Sequence, residues 1–461
     1  MLVTIIICGL TVTFHAALLQ LRAMPVWPCI LLHAAILLHL ALHELRRYKL
    51  IVTPGTVFVF IYSVVVVLPI LLYGISAGTT TIGSLSPQAA IKGSLLYLVF
   101  LCAFTLIYRG SASNKGANTS LDAHLETHSG KVYFRFLLIF AVGLFFLTIY
   151  IFSRYEEFSW ARMVISPLDE YSEVRQEGRN WANALMRQAV ALLSISTILL
   201  TRKNLSLRTV AITLLFITIA TFTSGGKAGF FWIFGSVAFV FGFVRRQNSL
   251  WFGLISAGSA VAITLVSFMW RGAFESLASA LEILIEYNHI FYYTARSAAE
   301  ISPDVSRFGQ ALQDLAIAFI PRQIWPNKPL EYGLTLRLLD YALRSVWFPS
   351  IRSFATMGLA EAWVSLGYAG GALSGIFLGL MVSWARNSLE RPRNFGQVVY
   401  SIYLIISIYY ALRVGFLNVW VYDLLFAFGV LLIARIIAGT ATYKSSFSLR
   451  RHHLFRPTQQ E

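Results

Sequence analysis

Apolar runs of about twenty residues, returning again and again along the chain, limit what this sequence can fold into more than any other feature. Runs of that length span hydrocarbon as helices and are too long for barrel strands, and in lipid the helix is the form that satisfies its own backbone polar groups. The composition agrees: of 461 residues, 57% are hydrophobic and only 13% charged, too few charges to cover a water-exposed surface. We therefore expect an all-α polytopic membrane protein with spans near 2–21, 26–44, 51–74, 90–108, 132–153, 183–200, 209–223, 228–244, 251–270, 358–384, 397–413 and 419–438. The first stretch lacks a basic n-region and a small-residue cleavage site, so it reads as a retained span. Cys8, Cys29 and Cys102 lie inside apolar runs without metal or redox spacing and read as small packing residues.

The net charge of +16 is gathered in short clusters between apolar runs, which is the pattern of a membrane topology and argues against a nucleic-acid partner. ELRRYK, the loop from Arg109 to Lys131, TRKNLSLR, RRQNS, ARNSLERPR and the basic tail fall on alternate connections. By the positive-inside rule they place both termini in the cytoplasm. The chain reads as one membrane domain over 1–461, with a smaller external loop at 154–182 and a large external loop at 271–352. Within the large loop, ESLASALEILIEYNHIFYYTARSAAE, FGQALQDLAIAF and GLTLRLLDYALRSVW show apolar residues at helical intervals, while Pro321, Pro326 and Pro329 forbid a continuous helix through IPRQIWPNKPLEYG.

The external side breaks the positive-inside trend, because it carries Arg154, Arg162, Arg175, Arg179, Lys227, Arg271, Arg296, Arg307, Arg322, Lys328, Arg337, Arg344 and Arg352. Long loops translocate largely regardless of charge, and Glu156, Glu157, Asp169, Glu170, Glu173 and Glu177 provide local partners. As a set, the cations point to an anionic ligand. Arg175 and Arg179 are spaced for one helix face, and Arg337 and Arg344 for another. The guanidinium fork matches phosphate oxygens and suits a site where pyrophosphate leaves without a metal. Gly225 and Gly226 form a tight turn ahead of Lys227 at a membrane boundary, where a lysine also snorkels to headgroups. Arg187 lies a few residues into its span, as a phosphate contact or a snorkelling side chain.

Glu361 opens an otherwise apolar run, ATMGLAEAWVSLGYAGG. A carboxyl there is a candidate general base, with a structural ion pair to a loop arginine as the competing reading. Gly371, Gly375 and Gly379 follow at four-residue spacing, the pattern of a close-packed helix seam. The external segments contain no Asp-x-Asp, and their one histidine outside the spans is His289, so clustered carboxylates for a metal are missing there and no cofactor is expected.

Three passages resemble the O-antigen polymerase family, especially the relatives that polymerise enterobacterial common antigen and other exopolysaccharide repeats. TSGGKAGFFWIF resembles the family's glycine-plus-basic turn, AFIPRQIWPNKP its Pro-Trp-Pro elbow, and GLAEAWVSLGYAGGALSGIFLGL its segment that re-enters the membrane. The resemblance covers roughly the C-terminal half. It implies a bacterial inner-membrane glycosyltransferase with a GT-C-like bundle and undecaprenyl-pyrophosphate-linked oligosaccharides as donor and acceptor. Membrane lipid and a chain-length regulator are further candidate partners. It also implies that Lys227 takes the basic position of the turn, where the family commonly has arginine; that Arg322 and Lys328 fall on the elbow; and that Glu361 takes the acidic position of the last motif. O-antigen ligases place a histidine before a glycine-rich segment in this region, and none precedes Gly367 here. A flippase for lipid-linked oligosaccharide and an O-antigen ligase are the alternatives. A flippase is expected to show pseudo-symmetric halves and short loops, whereas the external mass here is concentrated before the tenth span.

Overall fold

The computed structural model describes residues 2–20, 27–71, 85–111, 128–153, 181–201, 205–223, 228–246, 289–318, 325, 359–414 and 423–438. Among them the chain is helical throughout, with one isolated bridge, Thr201 to Leu205, outside the helices. In chain order the helices are α1 (Leu2–Gln20), α2 (Trp27–Tyr48), α3 (Pro54–Leu71, with a π turn at Ser63–Val67), α4 (Pro87–Gly110), α5 (His128–Phe152), α6 (Trp181–Leu200) and α7 (Leu207–Thr223). Then come α8 (Ala228–Phe239, continued by a π turn at Val240–Val244), α9 (His289–Glu300), α10 (Ser306–Ala318), α11 (Ala360–Glu390), α12 (Phe395–Val414) and α13 (423–438). Among the described residues six helices are long and apolar enough to cross a membrane: α2, α3, α4, α5, α11 and α12. The outward faces agree with a lipid surround, since Leu10, Leu31, Ile139, Phe146, Leu215, Leu373 and Phe428 are exposed there, a belt that water would not tolerate.

Local chemistry sets several helix starts. Thr53 accepts from the Thr56 amide at 3.1 Å while the Thr53 amide donates to Thr56 Oγ1 at 2.7 Å, a capping box ahead of Pro54. Ser86 caps α4 through the Ala89 amide ahead of Pro87, and Asn394 caps α12 through the Gln397 amide. Within the spans, Thr148, Ser194, Thr197, Thr213 and Thr221 each donate to the carbonyl four residues earlier, which satisfies hydroxyls that hydrocarbon would leave unpaired.

Two helices organise the packing: α4 is covered by α11, α9, α1 and α2, while α6 is covered by α5, α8, α7 and α12. The glycine seam lies on the first of these. A Cβ on Gly371 would stand 2.6 Å from Leu96 Cδ1, on Gly375 2.3 Å from Phe100 O, and on Gly379 3.1 Å from Phe104 O. The two sets of numbers rise together, so α4 and α11 run parallel with their backbones in contact.

Helix ends that the charge clusters assign to one side do gather at one end of the bundle. There Glu44 meets Tyr108 and Gly55, Arg47 meets Glu390, Tyr133 meets Phe395, Gly242 meets Val52, and Arg245 donates to Thr201 O. We call this the Glu390 end, and the opposite one the Gly367 end. The largest differences from the expected bounds are at α2, which continues through Tyr48, at α5, which begins at His128 rather than near 132, and at α11, which continues through Glu390 rather than stopping near residue 384. Of the charged residues in the added turns of α2 and α11, Arg386 and Glu390 are buried against partners from other helices, Arg47 is half-buried against Glu390, and Arg46 is exposed. The expected span at 251–270 and the third helical pattern of the large loop lie outside the described residues.

Candidate functional site

At the Gly367 end, α11 does not run straight. Gly367 has φ 59° and ψ −138°, torsions that favour glycine over any residue with a side chain. The break folds residues 360–366 back on the start of the long segment, so that a Cβ on Gly370 would meet Ala362 O at 2.2 Å. The long segment itself, residues 368–390, is about 34 Å of helix at roughly 1.5 Å per residue, enough to cross hydrocarbon unaided. The leading turn carries Glu361, which is 3% exposed. Ser365 Oγ donates to Glu361 O at 2.9 Å, and the Trp363 ring meets Tyr368 across the break with centroids 5.0 Å apart.

Helix α9 packs beside this turn. Its backbone crosses α4 where a Cβ on Gly93 would lie 2.6 Å from Ala295 Cα, so only glycine permits the approach. Phe291 and Thr294 sit deeper along α4 at Tyr97: Tyr97 Oη and Thr294 Oγ1 are 3.2 Å apart, and the Phe291 and Tyr97 ring centroids 6.2 Å apart. The polar chain continues inward, because Tyr62 Oη donates to Tyr97 O at 2.9 Å and stands 3.0 Å from His33 Nδ1, while His33 Nε2 stands 3.0 Å from Ser94 Oγ. Since Tyr62 gives its own proton to a carbonyl, its oxygen is left to accept from His33 Nδ1–H, and both ring nitrogens of His33 find partners inside the core.

A second polar group lies around α6. Tyr403 Oη donates to Gln188 Oε1, Gln188 hydrogen-bonds Asp423, and Asp423 is an electrostatic neighbour of Arg187. Trp232 stacks on Tyr403 with centroids 4.7 Å apart, and on Tyr410 at 5.9 Å. Arg187 therefore has a carboxylate neighbour that the sequence reading did not assign to it. Asp423 is a carboxyl within the apolar run WVYDLLFAFGVLLIA, the same signal that marks Glu361, but its association with Gln188 and Arg187 runs between helices distant in sequence.

Of the residues named from the sequence as general base or pyrophosphate contacts, the structure describes Glu361 and Arg187, and of the other external cations it describes Arg296 and Arg307. Glu361 packs within the α4–α9–α11 group and Arg187 within the group of α6, α8 and α12. Arg175, Arg179, Lys227, Arg271, Arg322, Lys328, Arg337, Arg344 and Arg352 lie outside the described residues. Among the described residues no three His, Cys, Asp or Glu side chains come together as a metal site. Cys8, Cys29 and Cys102 are buried thiols outside any disulfide.

A third group sits at the Glu390 end. The Arg386 guanidinium is fully buried, lies 4.3 Å from the Tyr108 ring centroid and donates from Nη1 to Tyr108 O at 3.1 Å. Tyr108 Oη donates to Glu44 Oε2 at 3.0 Å, and the Gly55 amide donates to the same oxygen at 3.3 Å, which places a carboxylate at the positive N-terminus of α3. Glu390 accepts from Arg47 and from Tyr48 Oη. This network ties α2, α3, α4 and α11 together. No family model, curated protein sequence or solved structure matches the chain.

Proposed function

We propose that the chain is a bacterial inner-membrane glycosyltransferase that polymerises undecaprenyl-pyrophosphate-linked oligosaccharide repeat units into a surface polysaccharide. The observation that carries the reading is Glu361, a carboxyl buried to 3% exposure at a break in α11. A carboxylate positioned beside a membrane-entering break can serve as the acceptor of a hydroxyl proton. In support stand the helical bundle and the motifs GLAEAWVSLGYAGG, TSGGKAGFFWIF and AFIPRQIWPNKP.

The reading places twelve spans in a GT-C-like arrangement with the Glu390 end in the cytoplasm. That end carries Arg46, Arg47, Lys49, Arg245, Arg246, Arg391 and Arg393, the cation excess of a cytoplasmic face. The Gly367 end then faces the periplasm. In the proposed reaction a hydroxyl of the acceptor sugar attacks the anomeric carbon of the donor sugar. The bond from that carbon to the pyrophosphate oxygen breaks, and Glu361 takes the hydroxyl proton. Arginines of the 154–182 and 271–352 segments, Arg175 and Arg344 foremost, stabilise the lipid pyrophosphate as it leaves. No metal is needed for this step.

The test is repeat-unit ladders in a deletion strain complemented with Glu361→Gln, Arg175→Ala or Arg344→Ala, each expressed as well as the unaltered chain. Loss of ladders is the expected outcome, and full-length polymer would remove the residue from the chemistry. Labelling that placed 271–352 in the cytoplasm would remove the assignment as a whole.

A further inference from the structure

The connector between α9 and α10, residues Ile301 to Val305, and Arg307 in the first turn of α10 grip the leading turn of α11 at several points. Trp363 Nε1 donates to Ile301 O at 2.9 Å, and the Asp304 amide donates to Val364 O at 3.0 Å. Arg307 Nη1 donates to Ser302 O at 3.0 Å and reaches Val364 O at 3.5 Å. The Pro303 ring closes the same junction, 3.1 Å from where a Cβ on Gly367 would stand.

Val364 is the focus of these contacts for a physical reason. Its carbonyl would bond the Tyr368 amide in an unbroken helix, and the torsions of Gly367 take that amide out of line. The connector and Arg307 supply donors to a carbonyl that the break leaves at a helix end. Arg307 is suited to the task because one nitrogen spans two carbonyls, and among the described residues its hydrogen bonds go to no carboxylate. Arg296, by contrast, pairs locally with Glu300 at 2.9 Å.

We propose that Arg307 is a positioning residue for Glu361: it ties the connector to the 360–366 turn and so sets where the Glu361 carboxyl is held. This rests on the reading of Glu361 as proton acceptor.

The test separates the clasp from the chemistry. In purified protein in detergent, with Cys8, Cys29 and Cys102 changed to alanine, Ser365→Cys is exposed to a water-soluble maleimide. Ser365 is buried, so slow labelling is expected. Adding Arg307→Ala is expected to speed labelling about tenfold, the consequence of losing charge-assisted hydrogen bonds, and Arg307→Lys to restore the slow rate. In the complemented strain, Arg307→Ala is expected to cut polymer about tenfold, with Arg307→Lys recovering most of it. Unchanged labelling in Arg307→Ala overturns the clasp whatever the ladders show. Faster labelling with full ladders overturns the positioning role. Full ladders from Glu361→Gln would instead strike the proton-acceptor reading, leaving the labelling result in place.

Discussion

Arg47 and Glu390 meet at 3.1 Å, Nη2 to Oε1, although 343 positions separate them. The pair joins the end of α2 to the end of α11, and Tyr48 donates to the same carboxylate oxygen. Both side chains are largely removed from water, at 20% and 6% relative exposure, so reversing one charge leaves the other buried against its like. Arg47→Glu is expected to lower stability by about 3 kcal/mol, and the swap Arg47→Glu with Glu390→Arg to recover part of it. Thermal unfolding in detergent is the measurement, and equal losses in the single and double variants would show that the two charges do not interact.

The same junction separates a polymerase from a carrier. Alternating access requires a bundle to part at each end in turn, whereas glycosyl transfer at the Gly367 end leaves the Glu390 end closed. With Arg47→Cys and Glu390→Cys joined by a short bis-maleimide, ladders are expected to persist at the level of the same variant before cross-linking. Their loss on cross-linking would favour the flippase.

Tyr108 serves two partners with different parts of one side chain: its hydroxyl donates to Glu44 and its ring lies under Arg386. Tyr108→Phe keeps the ring and leaves Glu44 Oε2 with the Gly55 amide alone, an expected loss of about 1–2 kcal/mol. Arg386→Ala strips the network of its buried cation and is expected to cost about 3–5 kcal/mol. Chemical denaturation of the purified protein checks the order, and an Arg386→Ala loss no larger than that of Tyr108→Phe would contradict the arrangement.

This network marks where the sequence stops being legible. The apolar runs, the alternation of basic connections and the seam of Gly371, Gly375 and Gly379 each follow from a local pattern, and the helices, the Glu390 end and the α4–α11 contact answer to them among the described residues. Arg386 and Glu390 stand in ARNSLERPR and Glu44 in ELRRYK, which read as water-exposed connections because charge is normally found there. Their burial depends on Tyr108 for Glu44 and Arg386 and on Arg47 for Glu390, partners 64, 278 and 343 positions away that no window of sequence brings together. Similarly, the helical spacing of the segment around HIFYYTARSAAE identifies α9 as a helix, while its docking against Gly93 depends on a glycine roughly two hundred positions earlier. Glu361 was legible as a carboxyl in an apolar run. The clasp around it was not, because Trp363, Asp304 and Arg307 act through backbone carbonyls.

The glycine seam makes a comparison of opposite signs possible. Gly375 and Gly143 both lie inside helices, and alanine is the better helix former by about 1 kcal/mol. At Gly143 a Cβ meets nothing within 4 Å, so Gly143→Ala is expected to be neutral or to stabilise by up to about 1 kcal/mol. At Gly375 the Cβ would stand 2.3 Å from the Phe100 carbonyl oxygen, and α4 and α11 must separate. Gly375→Ala is expected to destabilise by about 2 kcal/mol or more. Unfolding midpoints of the two variants decide the point, and a stabilised Gly375→Ala would refute the parallel packing of α4 on α11.

Gly367 is the position where a single methyl group tests the whole Gly367 end. At φ 59° and ψ −138° an alanine is strained by about 1–3 kcal/mol, and its methyl would also press on Pro303. Relaxing toward helical torsions would join residues 360–366 to the long helix, draw Trp363 away from Ile301 O and return Val364 O to the Tyr368 amide. Gly367→Ala is therefore expected to lower the unfolding midpoint and to expose Ser365→Cys to maleimide, as Arg307→Ala does, because both release the same turn from opposite sides. Combining the two substitutions is expected to add little to the labelling rate of either alone, since a turn already released has no clasp left to lose. Labelling that rises independently with each substitution would mean that Gly367 and Arg307 hold different parts of the chain.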